Sequence, residues 1–330
     1  MVTYTHDDQT AMDAVLQRLT CLHSPPEVAQ RILELTRDLY FDVGAVLHCL
    51  ESDPALAARV LRVVNSAHYG LRNRVTSLRQ AVALLGQRSL RLVALTFSLV
   101  DALTKGVPAQ LCAEYWKQAL SMAVVASHLA KFSHGAVVQD SAYTAGLLAD
   151  LGILILTQAF GDTYVHFYQR HGHSHALVQA ERGELRFCHA ALGARLLERW
   201  EFPVAIVLAT LHHHEPAESA SLLDCLVHLA HLTSEVFWQT PGSQLPDLRR
   251  QLKDRFGLDT DQFIELVRQC ALDIDSHASL FEVRLPPGLD CRILEERARQ
   301  QQMDAAVATA LELDTVLAVP GESENSFILG

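Results

Sequence analysis

No Cys-x-x-Cys pair occurs in this chain; its seven cysteines, Cys21, Cys49, Cys112, Cys188, Cys225, Cys270 and Cys291, stand singly and are odd in number. That spacing excludes a disulfide framework and a thiolate zinc ribbon, and it fits reduced thiols inside a cell, most of them buried as small apolar residues. Residues 1–10 lack a basic stretch followed by an apolar run, so no signal peptide is read and a cytoplasmic location is expected. Strand signals are almost absent, and neither an internal repeat nor a low-complexity tract is found. Basic charge is also short: 27 Lys and Arg face 38 Asp and Glu, a net charge of −11. This disfavours a general role on nucleic acid or on an anionic membrane surface.

What is present is apolar residues at helical spacing, in a chain of 330 residues that is 49% hydrophobic and long enough for one large domain or two smaller ones. In 27–40, Val28, Ile32, Leu35 and Leu39 share a face. Asp53 and Pro54 are an N-cap and first-turn proline opening a helix over 55–66. Ser77 and Gln80 read as a capping box for 78–85, closed by Gly86, and an apolar helix over 88–103 follows. Further helices are expected over 115–131, 142–159, 189–200, 204–213, 222–237 and 261–272. The fold class is therefore all-α. Residues 161–183 read as an irregular, His-rich connection and 240–246 as a turn-rich break. The stretch 142–160 has nearly the composition of a membrane span, but Asp150 lies at its middle and Asp140 and Asp162 flank it in place of basic anchors; it reads as a buried core helix. Beyond Leu285-Pro286-Pro287-Gly288, residues 291–317 read as one charged helix with a sparse apolar stripe of Ile293, Leu294, Met303, Val307 and Leu311. It either packs back on the domain or connects to a partner or output domain.

Several motifs in order carry a family resemblance. They are Ser24-Pro25-Pro26-Glu27-Val28, Asp53-Pro54-Ala55-Leu56-Ala57, Asn65-Ser66-Ala67-His68-Tyr69-Gly70, Gly146-Leu147-Leu148-Ala149-Asp150-Leu151-Gly152, His189-Ala190-Ala191-Leu192-Gly193, Trp200-Glu201-Phe202-Pro203 and His213-His214-Glu215-Pro216. Together, over roughly residues 20–235, the chain resembles the HDOD family, the HD-related output domain of bacterial signalling proteins. The resemblance implies an N-terminal helical bundle at 11–108 and an HD-like helical bundle at 109–238, with a C-terminal helical extension or connector at 243–318. It also implies a regulatory module, often linked to receiver, kinase or cyclic-dinucleotide signalling domains.

Beside the HD metallohydrolases, the same motifs show what has changed. Gln118 stands after Trp116-Lys117 where a first histidine is expected, Ala149 replaces the histidine of the His-Asp dyad, and His231 falls where a closing aspartate belongs. An HD-type centre needs imidazoles and carboxylates converging on a metal that acidifies water and clamps a phosphate oxygen. With donors lost, no metal or other cofactor and no hydrolysis are expected. The residual pocket candidates are Gln118, Asp150, His189, His213, His214 and His231. The bland reading of Asp150 is a carboxylate paired with a histidine or capping a helix; that of His213 and His214 is a solvated helix end before Pro216. Pairs such as His171 and His173 are expected by chance among 17 histidines.

Charge points to a surface instead. No acidic residue lies between Asp53 and Asp101, while Arg59, Arg62, Arg72, Arg74, Arg79, Arg88 and Arg91 all do. Either these arginines pair with acids from elsewhere, or Arg59, Arg62, Arg72, Arg74 and Arg79 form a patch that receives an acidic protein surface or a phosphate-bearing ligand. The expected function is a non-catalytic signalling regulator working through protein–protein contacts with kinase, receiver or diguanylate cyclase modules. The alternatives are a residual metal-dependent phosphodiesterase on nucleotides or cyclic dinucleotides, and a cyclic-dinucleotide-binding module, for which the arginine spacing gives no support. DNA and membrane are not expected partners: 78–103 mimics a helix-turn-helix, but its second helix is too apolar to lie in a groove.

Overall fold

The computed structural model describes residues 4–19, 26–36, 42–65, 74–135, 139–215, 220–238, 244–280, 283, 285 and 291–317. Among them there is no strand, and the fold is all-α. In chain order the helices are α1 (His6–Gln17), α2 (Glu27–Leu35), α3 (Val43–Glu51), α4 (Pro54–Val64), α5 (Leu78–Thr104), α6 (Ala109–Ala130), α7 (Gln139–Leu148) and α8 (Leu151–Phe160). They continue as α9 (Asp162–His171), α10 (His175–Leu185), α11 (His189–Arg199), α12 (Val204–His212), α13 (Leu222–Trp238), α14 (Gln244–Phe256), α15 (Thr260–Leu280) and α16 (Cys291–Leu317).

Local chemistry sets several of these ends. Asp53 Oδ1 accepts from the amides of Ala55 and Leu56, both at 3.1 Å, as its N-cap sequence predicts. The capping box expected at Ser77 is not made; its side chain leaves the first turn of α5 uncapped, and the reciprocal box is instead between Thr5 and Asp8 on α1. Gly86 (φ 69°) breaks the helical path inside α5, a left-handed conformation that costs glycine little.

Two apolar cores meet across α5. Leu90, Ala94 and Phe97 belong to a smaller core with Ile32, Val46, Leu50, Val60 and Val64 from α2–α4. Leu92, Leu95, Leu99 and Val100 belong to a larger one built around α6, α7, α8, α11 and α13, which α1 joins through Met12, Val15 and Leu16. A helix buried on both sides has to be apolar nearly all round, which accounts for the composition of 88–103 without any groove-binding role.

α6 is the central rod of the larger core, contacted by α7, α13 and α15. α7 crosses it so closely that a Cβ on Gly146 would lie 2.6 Å from the carbonyl oxygen of Met122. The expected helix over 142–159 is divided at Ala149 and Asp150 into α7 and α8. It is the one continuous stretch apolar enough to cross a membrane by length and composition among the described residues, and most of it is buried inside the fold. The expected irregular connection at 161–183 is also corrected: it holds α9 and α10, two polar-faced helices joined at Gly172 (φ 66°). Their histidines and charges hid the helical period, because these helices bury few residues, Tyr164 and Tyr168 on one and Leu177, Val178 and Glu181 on the other.

At the C-terminal end, α14 packs on α13 and α15 on α6. The start of α16 is docked: Leu294 and Ala298 are buried, Arg249 donates to the carbonyl oxygen of Ala298 and to Gln301 Oε1, each at 2.9 Å, and Arg268 pairs with Glu295 at 2.6 Å. Further along, Met303 and Val307 are exposed. The start of the helix thus packs back on the domain, as one of its two readings expects.

Gly152 makes the closest approach of the fold, since a Cβ there would lie 2.0 Å from the carbonyl oxygen of His189. It brings the first turn of α8 onto the first turn of α11. Gly152→Ala should lower stability by about 1–3 kcal/mol through overpacking. Gly183→Ala, exposed in α10 with nothing within 4 Å of the added Cβ, should raise it by about 0.5–1 kcal/mol. Urea unfolding of the two variants checks this contrast, and equal effects would contradict the packing argument.

Candidate functional site

Asp150 occupies the break between α7 and α8, at the N-cap position of α8, yet its side chain caps nothing there. Its carboxylate has no exposed surface and faces imidazoles instead. His173, in the turn between α9 and α10, places Nε2 2.7 Å from Oδ2. His213, at the end of α12, and His189, opening α11, place their Nε2 atoms 3.2 Å and 3.4 Å from Oδ1. Three segments far apart in sequence are thereby drawn to one carboxylate, and the close packing at Gly152 is what lets α11 come near enough.

Outer partners orient two of these rings. His213 Nδ1 lies 2.7 Å from the carbonyl oxygen of Thr210, which can only accept, so that nitrogen carries the hydrogen. His189 Nδ1 lies 2.7 Å from Glu181 Oε2, which also accepts from the His189 amide at 2.8 Å, while the Tyr164 hydroxyl donates to Oε1. Both rings therefore turn Nε2 toward Asp150. His214 Nε2 comes 2.8 Å from His189 Nε2, and His214 Nδ1 comes 3.2 Å from His231 Nε2, which is 3.8 Å from Glu235 Oε1. Asp150, His189, His213 and His214 each offer a ligating atom, and these four atoms lie within 4.8 Å of one another.

The electrostatics follow from burial and these neighbours. Burial pushes the Asp150 carboxyl up, but the charge of His173 and hydrogen bonds from His173, His189 and His213 together hold it well below the usual carboxylate range. Burial disfavours charge on His189, yet the Glu181 carboxylate and hydrogen bonds to Asp150 and Glu181 raise it well above the ordinary imidazole value. His214 and His231 go the other way: burial, and then the neighbouring imidazoles, hold both well below that value.

The sequence candidates fare unequally. Asp150, His189, His213 and His214 converge, and His231 stands beside them. Gln118 is buried, and its Oε1 accepts from Ser234 Oγ at 2.5 Å. The solvated helix end expected for His213 is corrected: the residue is fully buried and His214 only partly exposed. His173, expected as a chance neighbour of His171, bonds Asp150 directly. Glu181 was not foreseen, because nothing in its local sequence distinguishes it from a surface glutamate. Among the arginines, Arg59 pairs with Asp101 and stacks over Phe97, and Arg91 donates to the carbonyl oxygen of Thr36 at 3.2 Å. Arg62 is half-buried, Arg74 and Arg79 are exposed, and Arg72 lies outside the described residues.

The family model described as HDOD domain matches residues 22–216. The chain is 27% identical over 220 residues to an uncharacterized protein of Treponema pallidum (strain Nichols), a match covering 63% of this chain and 40% of that protein. A crystal structure of a protein from Marinobacter aquaeolei VT8, provisionally named for signal transduction, is 26% identical with a TM-score of 0.60, covering 83% of this chain and 66% of that one. The chain thus spans less than two thirds of either relative. A protein of Shewanella amazonensis SB2B, provisionally named a phosphohydrolase, is 22% identical with a TM-score of 0.55 over 87% of this chain and 93% of that one, a likeness of fold.

The opposed imidazoles give the metal-free chain a defined pH dependence. His189, raised, contributes stability that is complete below the ordinary value of 6.5 and lost as pH rises through its higher folded value. His214 and His231, depressed, stay neutral while the unfolded chain takes up protons below 6.5, so stability falls as pH drops through that value. The depressed Asp150 adds a loss only at pH below the usual carboxylate range. Thermal unfolding of chelator-treated protein should therefore show Tm greatest near neutrality and lower on both sides; a Tm that rises steadily toward either side contradicts these directions.

Proposed function

Since the chain belongs to the HDOD domain family, we propose that it is a non-catalytic signalling regulator, acting through contacts with other signalling proteins on a hydrolase-like scaffold that does not itself hydrolyse. The observation that carries this reading is the composition of the four-donor group. Ala149 fills the dyad position, Gln118 is held by Ser234, and Asp150 is the sole carboxylate among the four donors. Metal-assisted hydrolysis needs an open coordination position for the attacking water and carboxylates or imidazoles to hold the metal around it. Here three imidazoles and one carboxylate lie close enough to fill a four-coordinate shell by themselves. The signal-transduction name of the Marinobacter relative supports the same reading.

Recognition is assigned to the basic face at the start of α5, where Arg74 and Arg79 are exposed and no acidic residue is near in sequence. An acidic surface of a signalling partner fits it by charge. Arg59 is excluded from that face by its pairing with Asp101.

The phosphodiesterase reading is favoured by one observation, the convergence of Asp150, His189, His213 and His214. An assay with a chromogenic phosphodiester and with cyclic dinucleotides, in magnesium, manganese, iron and zinc, separates the two. Turnover no higher than metal in buffer is expected; turnover that collapses in Asp150→Ala would overturn the regulator reading. In affinity capture, a signalling protein retained by the native chain should be lost with Arg74→Glu and Arg79→Glu together, and equal retention would remove the arginine face.

A further inference from the structure

The charge and lone pairs of the four-donor group can be matched by protons on its rings or by a metal cation. Asp150 and Glu181 both have no exposed surface, so two buried carboxylates require about two compensating positive charges. At the same time the Nδ1 positions of His189 and His213 are committed to Glu181 and to the Thr210 carbonyl. As neutral rings, both would therefore present bare Nε2 atoms to Asp150 Oδ1, acceptor against acceptor, at 3.4 and 3.2 Å. A cation among these atoms removes the conflict.

We propose that Asp150 Oδ1 and the Nε2 atoms of His189, His213 and His214 form a closed, mononuclear site for a zinc-type divalent metal that ties α8, α11 and the end of α12 together. This deepens the reading of the same site as non-hydrolytic: the metal staples the scaffold and activates no water.

Distances fit the assignment. A tetrahedral shell with zinc–ligand bonds of about 2.0–2.1 Å has ligand–ligand edges of about 3.3 Å. Three of the six edges lie near that length, 3.2 Å and 3.4 Å from Asp150 to His213 and His189 and 2.8 Å between His189 and His214, and all four atoms lie within 4.8 Å of one another. Two of the three rings carry what holds ligating imidazoles in place elsewhere, a carboxylate or carbonyl on the far nitrogen, while the far nitrogen of His214 faces His231. Glu181 serves His189, the Thr210 carbonyl serves His213, and His173 holds the other oxygen of Asp150. Three imidazoles with one carboxylate suit zinc or a neighbouring transition ion, whereas magnesium and calcium take oxygen shells. His214 is the partly exposed member of the four.

The test uses the untagged full chain, stripped with chelator and titrated with zinc chloride against a chromogenic zinc indicator, with bound metal counted by mass spectrometry. One zinc per chain should bind ahead of any weaker sites, unaffected by excess magnesium, and should raise Tm. Glu181→Gln keeps all four donors and should weaken binding about 10–100-fold. His213→Gln should abolish the first equivalent and the Tm increase. No saturable zinc binding by the native chain, or equal binding in the native chain and both variants, overturns the site. Phosphodiester turnover by the zinc-loaded chain would overturn the regulator reading and the closed shell, while loss of zinc binding without turnover would overturn the metal site alone.

Discussion

A carboxylate sealed from water must be matched by protons or cations, and in this chain that demand falls on Asp150. His173, His189 and His213 meet it from three separate segments, with Glu181, Tyr164 and the Thr210 carbonyl behind them. The break between α7 and α8, the first turn of α11, the end of α12 and the turn between α9 and α10 therefore have one common point. Breaking such a pair by removing one partner leaves the others buried and uncompensated, which costs several kcal/mol even where the intact pair adds little. The glycines at 146 and 152 serve the same point. They allow α7 onto α6 and α8 onto α11 at distances that a Cβ would forbid.

The same hydrogen bonds fix how the helices around Asp150 present their imidazoles. Ala149 beside Asp150 offers no donor, and the imidazoles of His189 and His213 are oriented by their outer hydrogen bonds to Glu181 and the Thr210 carbonyl. Hydrogen bonds from several segments to one buried carboxylate favour a single packing of their helices. The function proposed for the whole, recognition of signalling partners, needs that rigidity in the larger core. In that proposal the partner-binding chemistry lies elsewhere, on the face at the start of α5.

Much of the helical order was legible because the amphipathic period is strong wherever one face meets the core, as in 55–66 or 222–237. It failed where burial is total or slight. Residues 142–159 are apolar all round, so no period marks the break at Asp150. α9 and α10 bury too few side chains to show one, and their histidines gave the look of a loop. The site was half legible. Asp150, His189, His213 and His214 stand in motifs, while His173 and Glu181 do not, and only the tertiary path of α9 and α10 over α11 brings them in. The position of His213 before Pro216 suggested solvent exposure, a local inference that the packing of α12 on α11 and α13 overrides. Ser77 offered the right residue for a cap, but the structure forms no such bond, since sequence spacing alone does not fix side-chain rotamers.

The central claim, that the buried Asp150 carboxylate holds these segments together, is tested most directly by urea unfolding of the metal-free native chain beside Asp150→Ala. The account predicts a loss of about 3–5 kcal/mol, the cost of leaving buried imidazoles without their carboxylate. A loss below about 1 kcal/mol, within the range of a minor surface substitution, would contradict it.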